Sequence, residues 1–331
     1  MLRFDSIDIN KTKNENTMKN QLNNQLNNLI FGLSGHVLLN KEMEFFEKSK
    51  PLAFILFKRN IKNKEQLLNL TDSLKKLSPE AKIFIDQEGG RVARIKPPIA
   101  QKEYPAGKYF ADIYEKNPEQ AKKEIKENYS QVMKELKTFN IDSPCAPVCD
   151  LLNEEGHGII GDRSFGDNVP QVVDLALKAI EGIKEQGGIA FLKHIPGHGR
   201  ASVDSHLELP IVKTELKTLE QTDFKVFKEL AKEEDVWGMT AHIIYECLDK
   251  EKPATLSKEV IKYIREEIGF KGILVTDDIG MKALHQNVKE EDKFSHFGKI
   301  AKECLEAGCD VVLHCSGILQ EMEAVYEGLF G

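Results

Sequence analysis

The stretch GGIAFLKHIPGHGRASVDSHLELP, residues 187–210, decides how the rest of this sequence is interpreted. Residues 189–192 form a continuous apolar run, which is typical of a strand buried on both faces. The run changes abruptly into a loop rich in ionisable side chains: Lys193, His194, His198, Asp204 and His206. Ionisable groups that directly follow a buried strand predict a functional site at the edge of a rigid sheet, and Gly197 and Gly199 predict a mobile loop.

Seven further apolar runs resemble this strand. They cover residues 29–33, 52–57, 83–85, 141–148, 236–240, 273–276 and 309–313. Helical segments separate many of them; residues 64–77, for example, carry leucines at close to a 3.6-residue period. Unalternating strands between helices indicate a parallel sheet. Eight such units in 331 residues predict an α/β fold, a (β/α)8 TIM-type barrel formed by a single domain.

Polar residues recur just after the apolar runs, at positions 58–60, Asp86, Lys193 with His194, His242 and Asp277. In a closed barrel these points converge on one mouth, whereas a doubly wound sheet spreads them along an edge. Convergence favours the barrel, and the doubly wound sheet is the alternative. We expect a poorly ordered, Asn-rich tail over residues 1–28 and the catalytic domain over residues 29–331.

Composition excludes several classes of partner. A formal charge of −7 argues against nucleic acid, whose phosphates require basic patches. No run of about 18 apolar residues is present to span a membrane, and the N-terminus lacks a signal-peptide pattern. The six cysteines therefore predict free, buried thiols, and we expect a cytoplasmic protein that is a monomer.

Two carboxylates are candidates for catalysis. Asp277 ends an apolar run, so it is either a catalytic group or a helix cap, a role that Asp278 could share. Asp204 and His206 are two residues apart, which puts both side chains on one side of an extended segment. The carboxylate can then orient an imidazole whose pKa of about 6.5 suits acid/base work.

A metal site is the alternative interpretation of the same groups. Its ligands would come from the histidines and carboxylates His194, His198, Asp204, His206 and Asp277. Lys193 argues against it as a competing cation beside His194, and no His-x-His pair ends the first strand. We therefore expect no metal.

Two glycine-flanked turns carry arginines. Residues 86–94 combine Asp86 with Arg91 and Arg94, and residues 161–166 contain Arg163. Asp and Arg form paired hydrogen bonds with sugar hydroxyls or carboxylates, although an internal ion pair explains Arg91 equally well. No phosphate-binding glycine motif is present.

The sequence KHIPGHG at 193–199, followed by DSH at 204–206, resembles family 3 glycoside hydrolases of the β-N-acetylhexosaminidase branch. Further segments agree in order and context: AFILFKRN at 53–60, IDQEGGR at 85–91, IGDRSFG at 160–166, MTAH at 239–242 and VTDD at 275–278. The resemblance runs from about Leu29 to Cys315. The histidine loop is its most specific part.

This resemblance implies a cofactor-independent barrel enzyme that removes terminal β-linked N-acetylglucosamine with retention of configuration. By motif, Asp277 is the nucleophile, His206 is the acid/base and Asp204 is its partner. The same resemblance assigns sugar binding to five residues: Asp86, Arg94, Arg163, Lys193 and His194. It also implies peptidoglycan turnover, with N-acetylglucosamine-containing muropeptides or disaccharides as substrates.

Other functions remain open at the level of sequence. A phosphorylase is possible because a histidine acid/base, unlike a carboxylate, does not repel phosphate. Another family 3 glycosidase, a metal-dependent barrel hydrolase and a non-catalytic sugar-binding protein are the remaining alternatives.

Overall fold

Continuous apolar runs form the strands of this protein, and amphipathic segments between them form most helices. A computed structural model describes residues 27–154, 156, 158–201, 208–286 and 288–331. The strands are β1 (Asn27–Gly32), β2 (Pro51–Leu56), β3 (Lys82–Ile85), β4 (Gln87–Gly89), β5 (Val92–Ala93), β6 (Ala190–Ile195), β7 (Ile211–Val212), β8 (Val236–Thr240), β9 (Ile244–Tyr245), β10 (Leu274–Val275) and β11 (Val312–His314). The helices are α1 (Asn40–Ser49), α2 (Lys64–Leu77), α3 (Gly107–Tyr114), α4 (Pro118–Lys137), α5 (Val169–Glu185), α6 (Leu216–Gln221), α7 (Asp223–Leu230), α8 (Lys258–Glu266), α9 (Lys293–Ala307) and α10 (Leu319–Phe330).

Parallel pairing closes the main strands into a ring. One set has the order β11-β1-β2-β3 and a second has the order β10-β8-β6. Residues 143–148 join the two sets through parallel bridges from Ser143 to Phe84 and from Val148 to Lys193. A bridge between Val275 and Val311 closes the other side. The predicted eight-membered (β/α)8 barrel is therefore confirmed.

Two apolar layers stabilise the barrel. Inside the ring, Phe84, Phe191 and Trp237 meet edge-on with ring centroids 5.2 to 5.5 Å apart. Outside it, a larger core fills the space between the strands and the helices. Because side chains fill the interior, the barrel is a packed core with a site at one end, not a pore.

Side-chain caps set the first residue of several helices. The side chain of Asn168 accepts a hydrogen bond from the Gln171 amide, and that of Ser257 accepts one from the Val260 amide. Asn63 and Asn117 cap α2 and α4 in the same way.

The fourth strand predicted over residues 141–148 makes only isolated bridges. Pro144 and Pro147 lie within it and have no amide hydrogen, so a continuous ladder cannot form there.

Helices α6 and α7 are separated at Thr222, whose backbone (φ −123°, ψ −100°) leaves the helical region. Asp223, the next residue, is buried and pairs with Arg200 at 2.7 Å, which fixes where α7 begins. The sequence analysis did not predict helices α3 and α9.

All six cysteines are free thiols, as predicted. Five are buried and Cys247 is half-buried. Within the described ranges, no helix has the length and apolar character needed to cross a bilayer. Of the tail expected over residues 1–28, only Asn27 and Asn28 are described, and both belong to β1.

Candidate active site

The carboxyl ends of the barrel strands bring the charged groups to one mouth. Cys315 follows β11, and several carboxylates lie close enough to its thiol to affect the pKa of that thiol. Burial raises the pKa of Cys315 well above its usual value, and the carboxylates of Asp278, Asp86 and Asp277 raise it further. Residues after β3, β10 and β11 therefore face the same space, as the barrel interpretation predicts.

A cluster of alternating charges lies at this mouth. Asp86 accepts from Arg94 Nη2 at 2.9 Å and lies 3.3 Å from Lys193 Nζ. The Glu88 carboxylate accepts a hydrogen bond from Lys193 Nζ at 2.6 Å. It also accepts hydrogen bonds from both Nε and Nη2 of Arg163, each at 2.8 Å. Four of the five predicted sugar-binding residues are thus brought together, and Glu88 bridges two of them.

Glu88 lies within the 86–94 segment, but the sequence analysis did not include it among the candidate site residues. Its side chain is 5% exposed and that of Lys193 is 2% exposed. Burial opposes the charge on Glu88, but Arg163 and Lys193 outweigh burial and hold the pKa of Glu88 well below its usual range. Burial likewise opposes the charge on Lys193, yet Glu88 and Asp86 raise the pKa of Lys193. The cluster therefore stays ionised at neutral pH.

His194, the fifth predicted sugar-binding residue, is oriented by Asp150. Asp150 is fully buried, and its Oδ2 lies 2.7 Å from His194 Nδ1. The same carboxylate accepts from the backbone amide of His194 at 3.1 Å and from that of His198 at 2.6 Å. Burial opposes its charge, but His194 lowers the pKa of Asp150. Asp150 follows the apolar run at 141–148, and this position after a predicted strand is the sequence feature that could have identified it as a site residue.

His198 is buried beside His194. Its ring packs edge-on against that of His194, with centroids 5.4 Å apart. Burial, followed by the charge of His194, lowers the pKa of His198 to about 4. Asp277 acts on the same ring in the opposite direction, so this carboxylate lies near the loop.

Close packing explains Gly197 and Gly199 better than the expected mobility does. A Cβ at Gly199 would lie 2.0 Å from the carbonyl oxygen of Leu151, and Gly197 has φ +145°. The Tyr245 hydroxyl also donates to the carbonyl of Gly197 at 2.6 Å. In the described part of the loop, glycine is required by geometry.

The structure divides the roles of Asp277 and Asp278. Asp278 Oδ1 accepts from the amides of Gly280 and Cys315 at 2.9 and 3.0 Å, so this residue organises the turn. Its own amide donates to Asp277 Oδ1 at 2.8 Å. The sequence analysis considered a capping role for both residues, and the structure gives such a role to Asp278. Asp277 therefore remains the candidate catalytic group.

The two glycine-flanked turns meet at the mouth. Arg91 pairs with Asp162 at 2.7 Å on the surface, which confirms the ion pair considered for Arg91. Asp204 and His206, the predicted acid/base pair, lie outside the described residues. Among the residues that are described, no group of three His, Cys, Asp or Glu side chains could hold a metal ion.

The chain belongs to glycosyl hydrolase family 3, because the model of the family's N-terminal domain matches residues 36–329. It is therefore a glycoside hydrolase, as its motifs predict. Curated relatives are named beta-hexosaminidase. The protein from Alkalilimnicola ehrlichii is 36% identical over 293 residues, covering 87% of this chain and 80% of the relative. The one from Histophilus somni (strain 2336) is 34% identical over 308 residues, covering 91% and 82%.

A solved structure extends this similarity to three dimensions. NagZ from Neisseria gonorrhoeae, in complex with N-trifluoroacetyl-D-glucosamine, superimposes with a TM-score of 0.81 at 31% identity. The match covers 92% of this chain and 85% of that one. The enzyme class and the fold predicted from the motifs are thus both confirmed.

Replacing Glu88 tests the buried charge cluster. In Glu88→Gln, Lys193 and Arg163 lose their shared counter-ion while remaining buried, so we expect a stability loss of about 3 kcal/mol. Chemical denaturation measures it. Asp162→Asn is the control, because it breaks an ion pair whose carboxylate is 43% exposed and should cost about 1 kcal/mol or less. Similar losses in both variants would contradict a special role for Glu88.

The low pKa of His198 makes stability pH-dependent. Between about pH 6.5 and pH 4 the unfolded chain protonates this histidine while the folded protein does not, so stability falls as the pH falls. From pH 7 to pH 5 the expected contribution is about 2 kcal/mol. His198→Gln should lack this part of the slope in urea unfolding at the two pH values. An unchanged slope would count against the assignment.

Proposed function

We propose that this enzyme hydrolyses terminal β-linked N-acetylglucosamine with retention, using Asp277 as the nucleophile. The observation that carries the proposal is the position of Asp277 after β10, at the mouth it shares with Asp86 and the loop around His198. The similarity to NagZ, whose structure contains a glucosamine derivative, supports the sugar. The curated beta-hexosaminidases support the same class of substrate.

The chemistry follows a double displacement. A carboxylate oxygen of Asp277 attacks the anomeric carbon, and the bond from that carbon to the leaving oxygen breaks. His206 protonates the leaving oxygen. In the second step His206 takes a proton from water, whose oxygen attacks the same carbon and releases Asp277. Two inversions at one carbon give net retention.

Different residues would bind the sugar in different ways. Asp86 and Arg94 are 19% and 28% exposed, so they can contact hydroxyl groups directly. Lys193 and Arg163 form ion pairs with Glu88, and we propose that they line the inner side of the sugar pocket. His194 has Nδ1 committed to Asp150, so Nε2 is the nitrogen available to the substrate.

The acid/base assignment rests on sequence. Imidazole groups ordinarily titrate near neutrality, and Asp204 lies two residues before His206, so we propose that the pair holds and transfers one proton. A histidine on a loop can approach the leaving oxygen and withdraw from it, which a rigid strand end cannot do.

The cellular setting is also part of the proposal. We infer cytoplasmic turnover of peptidoglycan fragments, with muropeptides or disaccharides as substrates, from the family branch that the motifs resemble. We expect a monomer, which sedimentation would test.

Covalent trapping tests the nucleophile. A fluorinated N-acetylglucosaminyl substrate that forms its glycosyl-enzyme faster than it releases it should label Asp277, and peptide mass mapping locates the label. The first product formed from a normal substrate should be the β anomer by NMR. Label on another residue, or turnover with none, would overturn the mechanism.

Azide rescue separates the two adjacent carboxylates. Asp277→Ala should lose nearly all hydrolysis, and azide should restore turnover of an activated substrate by attacking in place of the carboxylate. The product should be the α-glycosyl azide, because only one inversion occurs. Asp278→Ala is the matched control: azide should give no such product, because this residue organises the turn. Rescue in both variants would argue against the division of roles.

Leaving-group dependence tests His206. His206→Ala should lower turnover of natural glycosides far more than that of aryl glycosides with acidic leaving groups, because only the former need protonation. Asp277→Ala serves as the comparison, since it should affect both substrate types. Equal losses in His206→Ala would contradict the acid role.

A further inference from the structure

Three buried polar side chains surround the backbone of Asp277 and have no role in the chemistry described so far. Thr240 ends β8, His242 follows it, and Thr255 lies in the short 3-10 helix Ala254–Leu256. All three are fully buried. Fully buried polar groups in a barrel wall need a reason, because an apolar residue would fill the same space without a hydrogen-bonding requirement.

These side chains form a continuous series of hydrogen bonds. The Asp277 amide donates to Thr240 Oγ1 at 3.3 Å, and Thr240 Oγ1 lies 2.8 Å from Thr255 Oγ1. Thr255 Oγ1 lies 2.8 Å from His242 Nδ1. His242 Nε2 lies 2.9 Å from the carbonyl oxygen of Asp278. The series begins and ends on consecutive residues, so it closes a ring around the Asp277–Asp278 segment.

The acceptor at the end of the series fixes one proton position. The carbonyl of Asp278 can only accept, so His242 Nε2 must carry a proton. In the neutral ring, Nδ1 then accepts from the Thr255 hydroxyl, and Thr240 donates to Thr255. In the charged ring, Nδ1 donates to Thr255, whose hydroxyl can turn to the Ala241 carbonyl at 3.2 Å. Both states keep the bond to Asp278.

Asp278 transmits this restraint to the neighbouring carboxylate. Its carbonyl is held by His242, and its side chain is held by the amides of Gly280 and Cys315. Its amide then donates to Asp277 Oδ1 at 2.8 Å. The Asp277 carboxylate is consequently oriented by the amide of a residue whose own carbonyl and side chain are both hydrogen-bonded.

We propose that His242, Thr255 and Thr240 are positioning residues that set the attack geometry of Asp277. The inference rests on the proposed function, in which Asp277 is the nucleophile. It goes beyond that function by assigning residues that touch no substrate. Misplacement of a reacting atom by about 1 Å costs on the order of 100-fold in rate, so a loosened ring should slow glycosyl-enzyme formation while leaving sugar binding intact.

Matched variants test the ring. Thr255→Val removes the hydroxyl and keeps the shape, whereas Thr255→Ser keeps the hydroxyl. His242→Leu removes the donor to Asp278, whereas His242→Gln retains an amide N–H near that position. The measurements are the rate of Asp277 labelling by the fluorinated substrate and the Kd for N-acetylglucosamine. We expect labelling to slow by 10- to 100-fold in the Val and Leu variants, with Kd changed by less than about threefold. The Ser and Gln variants should recover much of the rate.

The outcomes separate this inference from the proposed function. If wild-type protein is not labelled on Asp277, the proposed function fails. If Asp277 is labelled and the folded Val or Leu variant reacts at the wild-type rate, only the ring proposal is overturned. Nitrogen-15 NMR of the wild-type imidazole gives a test that needs no variant to fold. Protonated Nε2 on His242 supports the ring, and unprotonated Nε2 overturns it.

Discussion

The buried charges at the mouth of the barrel are compensated by groups that contact them directly. Glu88 pairs with both Lys193 and Arg163, and the Asp150 carboxylate lies 2.7 Å from His194 Nδ1. Removing one member of such a pair leaves an uncompensated charge in a poorly solvated place, which strongly destabilises the folded protein. The side of the site that we propose to bind the sugar therefore contains two buried carboxylates that hold other side chains in place.

Both carboxylates act on consecutive residues of β6. Glu88 reaches Lys193 from the β4–β5 hairpin, and Asp150 reaches His194 from the segment that completes the barrel between β3 and β6. Asp150 also holds the amide of His198. The end of one strand is thereby tied to two neighbouring connections, which gives the side chains fixed directions before any sugar arrives.

The other side of the site is organised by hydrogen bonds to the backbone. Thr240 accepts from the Asp277 amide, the Asp278 amide donates to the Asp277 carboxylate, and His242 binds the Asp278 carbonyl. These hydrogen bonds orient the Asp277 carboxylate through backbone groups and place no positive charge beside it.

Local rules alone account for the fold class and for the helix caps at Asn168 and Ser257, because unalternating apolar runs indicate buried parallel strands and Asn and Ser are good caps. The candidate residues Asp86, Arg94, Lys193 and Asp277 came from the resemblance to family 3 glycoside hydrolases, and three of them also follow a predicted strand. Tertiary structure decided which groups meet. Pro144 and Pro147 reduced the fourth strand to bridges, and Glu88 and Asp150 became the buried partners of Lys193 and His194. Spacing along a chain cannot identify such partners, because closing the barrel brings together residues that are 44 to 107 positions apart.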